Sequence, residues 1–345
     1  MAIPAPTRFN AGVLKELGLA ATLALTGAQV VPESNVTPAA SSAVTQWRGV
    51  NWADPRDNYA HDAVVPSGLS TSDSYRQVVK KATRIVREFK ADLGANTVRL
   101  PINPWSVGTR WWKAYRGAID AATKQGDKVI LSYWEADDAE DGKIDNTRRW
   151  TTMWNTVVKA YAKNKRVYFE PMNEPWGYSL KQWVAICATW LAHHKNVPRA
   201  RVVVSGTGNN VDVTGVGASP KLKGTLLSFH YYSFYGSYTT EQEWLDEMTP
   251  RIGAYASRTI VDEAGAPMTT GIDYGSPDGS VENAYLNAVA DLAASEHLGL
   301  VYWPGLRDGD SYSLETRTAG GKLAVTNASG LALLRRGWGY AVSAP

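Results

Sequence analysis

The chain has 345 residues with 36 Lys+Arg against 33 Asp+Glu, a formal charge of +3. A balance so close to neutral gives no support to a polyanion-binding role, and 44% hydrophobic with 20% charged residues describes a globular chain, not a disordered one. One cysteine, Cys187, excludes an intramolecular disulfide framework and a cysteine-based zinc site.

The N-terminal residues differ from the rest. Leu17–Val31 is mostly apolar, follows Arg8 and Lys15, and leads into the Pro/Ser/Thr/Ala-rich stretch Pro32–Thr45. Fifteen residues are too few to cross a bilayer comfortably but suit the apolar part of an export signal. Residues 1–45 are therefore expected to form a leader, and the protein to be extracellular; no other stretch approaches transmembrane length. From residue 46 to 345 a single domain is expected. Strand-like runs fall at Trp47–Trp52, Thr97–Ile102, Lys128–Trp134, Arg166–Glu170, Arg201–Gly206, Leu226–Ser233, Thr259–Gly265 and Gly299–Gly305. Helical patterns lie between them at Tyr75–Leu93, Trp111–Gln125, Arg149–Lys163, Leu180–His194, Glu241–Ala256 and Val281–Ser295. Strands alternating with helices favour parallel pairing, because a parallel connection needs a crossover. Eight strands in this length fit the α/β class and the (β/α)₈ TIM barrel better than an open sheet. Neither a GxGxxG turn nor a P-loop is present, which disfavours nucleotide-binding open sheets.

In such a barrel, chemistry gathers at the C-terminal ends of the strands. The fourth run continues as Glu170-Pro171-Met172-Asn173-Glu174-Pro175, and the seventh ends Asp262-Glu263-Ala264-Gly265. Glutamates from strands three apart can face one another across the barrel mouth. Two carboxylates flanking a bond are what glycoside hydrolysis needs.

Asn173-Glu174-Pro175 after the fourth strand, with Glu263 ending the seventh, resembles glycoside hydrolase family 5, a member of a clan of retaining barrel enzymes. The resemblance covers roughly Trp47 to Tyr340. Further matches are Arg99 ending the second strand, His230 and Tyr232 on the sixth, and Trp303 ending the eighth. The family implies Glu174 as general acid/base, Glu263 as nucleophile and Arg99 as its supporting cation. It also implies Asn173 on the sugar 2-hydroxyl, His230 and Tyr232 lining the reacting-sugar subsite, and Trp303 as its floor. A cis bond between Trp303 and Pro304 is expected, since proline makes cis far less costly.

One position departs from the family pattern: Trp134 stands at the end of the third strand, where many members have a histidine. A stacking surface there replaces a polar contact and puts the usual cellulase preference in doubt. Trp176 and Tyr235 are candidate cleft walls. Their positions give a use to part of a lopsided aromatic content of 14 Trp and 17 Tyr against 5 Phe. Glu170 reads as a buried support, Asp262 as structural and turned away from Glu263, and the acid-rich run Glu135–Asp145 as a solvated loop.

The expected activity is retaining hydrolysis of β-glycosidic bonds in a polysaccharide or oligosaccharide. The alternatives are exo-β-galactosidase, β-mannosidase, furanosidase or transglycosylase specificity in the same clan, or a carbohydrate-binding barrel without turnover. No metal or cofactor is implied, and the expected partner is carbohydrate, not nucleic acid or membrane, with the protein acting as a monomer.

Overall fold

The computed structural model describes residues 47–56, 60–135 and 141–340. The leader, and the middle of the acid-rich run, lie outside these residues. Eight parallel strands are present: β1 (Arg48–Trp52), β2 (Thr97–Ile102), β3 (Lys128–Tyr133), β4 (Val167–Glu170), β5 (Val203–Ser205), β6 (Leu226–His230), β7 (Thr259–Glu263) and β8 (Gly299–Leu306). They are ordered β4-β3-β2-β1-β8-β7-β6-β5, and a parallel bridge between Phe169 and Val202 joins the two outer strands. The sheet is thus a nearly closed (β/α)₈ barrel, and its catalytic end is the one at which all eight strands terminate.

Helices α1 (Tyr75–Glu88), α2 (Arg110–Lys124), α3 (Thr147–Tyr161) and α4 (Leu180–His193) cross over between the first five strands. Two single turns, α5 (Thr207–Asn210) and α6 (Thr214–Ala218), replace a full helix between β5 and β6. Helices α7 (Glu241–Ile252) and α8 (Val281–Ser295) complete the ring. Side chains decide several of the starting points. Ser74, Ser179 and Thr240 each form a reciprocal capping box that occupies N-terminal amides lacking a helical partner.

After β8 the chain adds a hairpin, β9 (Glu315–Arg317) with β10 (Leu323–Val325), and a last helix, α9 (Ala328–Gly337), which packs on α8. Inside the barrel, Trp47, Ile130, Val203, Leu226, Ile260 and Val301 form an apolar plug with Tyr168 against it. Side chains above that plug are polar, and they belong to the site. Among the described residues, no helix is long and apolar enough to cross a membrane.

Candidate active site

Arg99 organises the layer above the plug. Its side chain, 1% exposed, projects from β2 into the barrel. Nε and Nη2 grip both oxygens of Glu170 at 2.7 and 2.9 Å, Nη1 donates to Glu263 Oε1 at 2.5 Å, and Nη2 donates to Asn173 Oδ1 at 2.6 Å. Asn51 Oδ1 on β1 accepts the remaining Nη1 N–H at 3.0 Å, and Ser132 Oγ on β3 lies 3.2 Å from Nη2, sharing its donors with Glu170 and Asn173. Burial disfavours the guanidinium charge, but Glu170 and Glu263 outweigh it and hold Arg99 firmly protonated. Glu170 itself is pushed up to about 7, chiefly by burial, with Arg99 pulling the other way. It is the buried support expected of it.

The two glutamates meet at the barrel mouth. One oxygen of Glu174, one of Glu263 and a ring nitrogen of His230 lie within 4.8 Å of one another. Tyr232 Oη donates to Glu263 Oε2 at 2.8 Å, so Arg99 and Tyr232 hold the two oxygens of Glu263 from opposite sides. Glu174 Oε1 lies 3.0 Å from His230 Nδ1, and its Oε2 accepts from Asn209 Nδ2 at 3.2 Å. The backbone of Glu174 has φ +43°, a left-handed conformation that non-glycine residues rarely adopt. The turn between Asn173 and Pro175 thereby aims the side chain across the barrel at Glu263.

Asp262 does not turn away. Strand pairing between β6 and β7 shifts so that Phe229 faces Val261 while His230 faces Glu263, skipping Asp262. This bulge brings both acids into the same polar layer. Asp262 Oδ1 accepts from Ser228 Oγ at 2.5 Å and lies 3.4 Å from His230 Nε2, and its Oδ2 is 3.8 Å from Arg99 Nε. Strict alternation fails here because one residue is inserted. His230 is fully buried. Burial alone would lower its pKa, but Glu263, Asp262 and Glu174 raise it to about 10.

Trp303 and Trp134 stand side by side with ring centroids 5.2 Å apart, in a cluster with Tyr232 and Ala53. The Trp303–Pro304 bond is cis. Trp134 is 2% exposed, so most of its ring is covered by neighbours, and its buried indole N–H has no hydrogen-bond partner among the described residues. Trp176 and Tyr235 are 49% and 41% exposed, on the loops after β4 and β6, and Tyr235 is near enough to Glu174 and Glu263 to feel their charges. Phe234, 59% exposed, stacks on Tyr232 with centroids 4.9 Å apart and adds a ring to the β6 side.

The described ends of the acid-rich run are not freely solvated. Glu135 accepts the Asp141 and Gly142 amides, and Gly142 carries the Trp176 ring against its backbone. Beside the site, a groove of about 610 Å³ lies at the ends of β1 and β8, lined by Asp54, Arg56, Asp308 and Arg317.

Eight of the nine residues expected from sequence (Arg99, Glu174, Glu263, Asn173, His230, Tyr232, Trp303 and Trp134) thus converge around one point, and Trp176 flanks it. Asn209, Asn51, Ser228 and Asp262 complete the arrangement without a pattern that would have marked them beforehand. Chemically, the arrangement offers one carboxylate held by cationic and phenolic donors. A second carboxylate faces it, bonded to a histidine and exposed enough to reach a leaving group.

A cellulase family model, glycosyl hydrolase family 5, matches residues 58–305. No curated relative matches the chain. Solved structures share its architecture at low identity. An endocellulase from Pyrococcus horikoshii, crystallised with cellotetraose, is 16% identical with a TM-score of 0.60, covering 85% of this chain and 92% of its own. An endo-beta-1,4-glucanase from Xanthomonas axonopodis pv. citri is 13% identical with a TM-score of 0.57, covering 86% of this chain and all of its own. A hyperthermostable endocellulase reaches a TM-score of 0.62 at 15% identity, covering 85% and 92%.

Proposed function

The chain belongs to glycosyl hydrolase family 5, and from that premise we propose that it hydrolyses β-glycosidic bonds with retention, Glu263 acting as nucleophile and Glu174 as general acid/base. The observation that carries this reading is the approach of the two carboxylates, an oxygen of each within 4.8 Å of the other. Retaining enzymes keep their carboxyls about 5–5.5 Å apart, whereas inverting ones leave about 6.5–9.5 Å for a water.

In the first step Glu263 attacks the anomeric carbon, the glycosidic C–O bond breaks, and the leaving oxygen takes a proton through Glu174. In the second step water attacks the anomeric carbon, gives its proton to Glu174, and frees Glu263. Hydrogen bonds from Arg99 and Tyr232 orient Glu263 without protonating it. Asn173, fixed by Arg99, would bind the 2-hydroxyl, and Trp303, backed by Trp134, would form an apolar floor.

The substrate class is a β-linked polysaccharide or its oligosaccharides, in keeping with the cellotetraose-bound endocellulase. Trp134, in place of a polar residue, packs behind Trp303 and leaves that strand end without a polar contact for the sugar. Export by the 1–45 leader to reach a polymer outside the cell belongs to the same proposal. A panel of mechanism-based fluorosugars followed by peptide mapping tests it. Covalent label at Glu263, with the accepted sugar naming the specificity, is the expected result; label at any other residue overturns the assignment.

A further inference from the structure

The buried groups behind Glu174 form a chain that leads away from the cleft. Glu174 Oε1 meets His230 Nδ1 at 3.0 Å. On the other side of the ring, Nε2 lies 3.2 Å from Ser228 Oγ and 3.4 Å from Asp262 Oδ1. The Ser228 hydroxyl is committed to Asp262 at 2.5 Å, so its lone pairs are what it can turn toward Nε2.

We propose that Asp262, directly and through Ser228, is a positioning residue that holds His230 as an imidazolium, so that the resting proton for the leaving oxygen is shared between His230 Nδ1 and Glu174 Oε1. This rests on Glu174 being the acid/base. The proton balance is closed. As the glycosidic bond breaks, the one shared proton passes from Nδ1 to the Glu174 carboxyl and on to the leaving oxygen, leaving neutral imidazole and a Glu174 carboxylate. When water attacks, Glu174 takes its proton and His230 is recharged.

Every charged neighbour that faces the ring favours this. Asp262 and Glu263 from β7, Glu174 beyond β4 and Glu170 on β4 all come within 4.8 Å of a ring nitrogen, and Arg99 is spent on Glu170 and Glu263. His230 has no exposure, so water cannot substitute for these partners. One neighbour points to the opposite state. Asn210 Nδ2, which donates to Ser228 Oγ at 2.6 Å, is also 3.2 Å from Nε2 and could donate there to a neutral ring.

Histidine-¹⁵N NMR of the whole protein across pH 5–9.5 separates the two states; five histidines are present, and His230 is identified by the signal lost in His230→Asn. Both nitrogens of His230 should stay protonated through pH 8 in the native protein. Asp262→Asn should bring the titration down by at least one pH unit, and the alkaline limb of kcat/KM on an aryl β-glycoside should move with it, about a tenfold loss on that limb. Ser228→Ala keeps the carboxylate, should give a smaller shift, and serves if Asp262→Asn does not fold. A native His230 already neutral at pH 7, or a titration unmoved by the variants, overturns the proposal. The resonance needs no turnover. If the glycosidase reading fails, it does so as absent activity with the His230 titration intact.

Discussion

Arg99 is worth more to this protein as a fork than as a charge. A lysine at position 99 would keep the cation but could not grip both oxygens of Glu170 while also reaching Glu263, Asn173, Asn51 and Ser132. Removing one partner of a buried ion pair leaves the others uncompensated, at a cost of about 3–5 kcal/mol. Arg99→Met should therefore lower the unfolding free energy by about that amount in chemical denaturation, and Arg99→Lys should recover only part of it. Glu174 lies at the other extreme. Its contacts are to His230 and Asn209, and glutamine can keep much of that hydrogen bonding. Glu174→Gln should leave the thermal transition nearly unchanged while reducing turnover of an unactivated β-glycoside by about 10²–10⁴-fold, the usual worth of a general acid/base. Near-normal turnover by Glu174→Gln would exclude that role.

Elements place these residues, and their irregular parts matter most. Residues 141–145 and the turn after β4 meet where Gly142, at φ +68°, lies under the Trp176 ring. A Cβ at that position would come 2.6 Å from the ring. Gly142→Ala should push Trp176 out of place and raise KM for a polymeric substrate roughly two- to tenfold, the worth of an aromatic contact. Turnover of a small aryl glycoside should hardly change. An unchanged KM on the polymer would remove Trp176 from the cleft wall. The strands and six main helices were legible because parallel strands buried on both faces read as apolar runs and amphipathic helices keep their period. Three-residue strands such as β9 and β10 carry too little pattern to be read. Helix α9 is short and includes Gly330, a weak helix former that lets Met268 pack close. Glu174, Glu263, Arg99 and the His230–Tyr232 pair were legible because each sits in a motif at a strand end. Asn209 and Asn51 were not, since a lone asparagine in a loop or strand has no signature, and Asp262 was misplaced because a bulge leaves no mark in strand alternation.

The whole molecule carries a pH dependence of stability to which buried groups inside and outside the site both contribute. Glu315 on β9 is fully buried and is pushed up to about 8 by that burial, with Asp92 and Glu88 adding to it. Glu241, beside Asp291, and Glu135 are each pushed up to about 7, again chiefly by burial. A carboxyl whose folded pKa is raised gives up its proton sooner when unfolded. Its contribution is complete below about pH 4.5 and is lost as pH rises through the folded value. His194 opposes this in acid. Buried against Trp190 and lowered to about 4, it makes the fold weaker as pH falls below about 6.5. His230, raised to about 10, contributes stability that is complete below about 6.5 and declines above it, in the same direction as the carboxyls. The opposing trends therefore overlap below pH 6.5, and above it only decline remains. Tm should be several degrees higher at pH 6.5 than at pH 8.5 in scanning calorimetry. Glu315→Gln keeps the size of the side chain with nothing to ionise in that buried place, so it should raise Tm at pH 8.5 and flatten the slope between the two values. A native Tm that rises toward pH 8.5 would contradict this trend, and a Glu315→Gln slope as steep as the native one would show that the buried acid on β9 does not contribute to the alkaline loss.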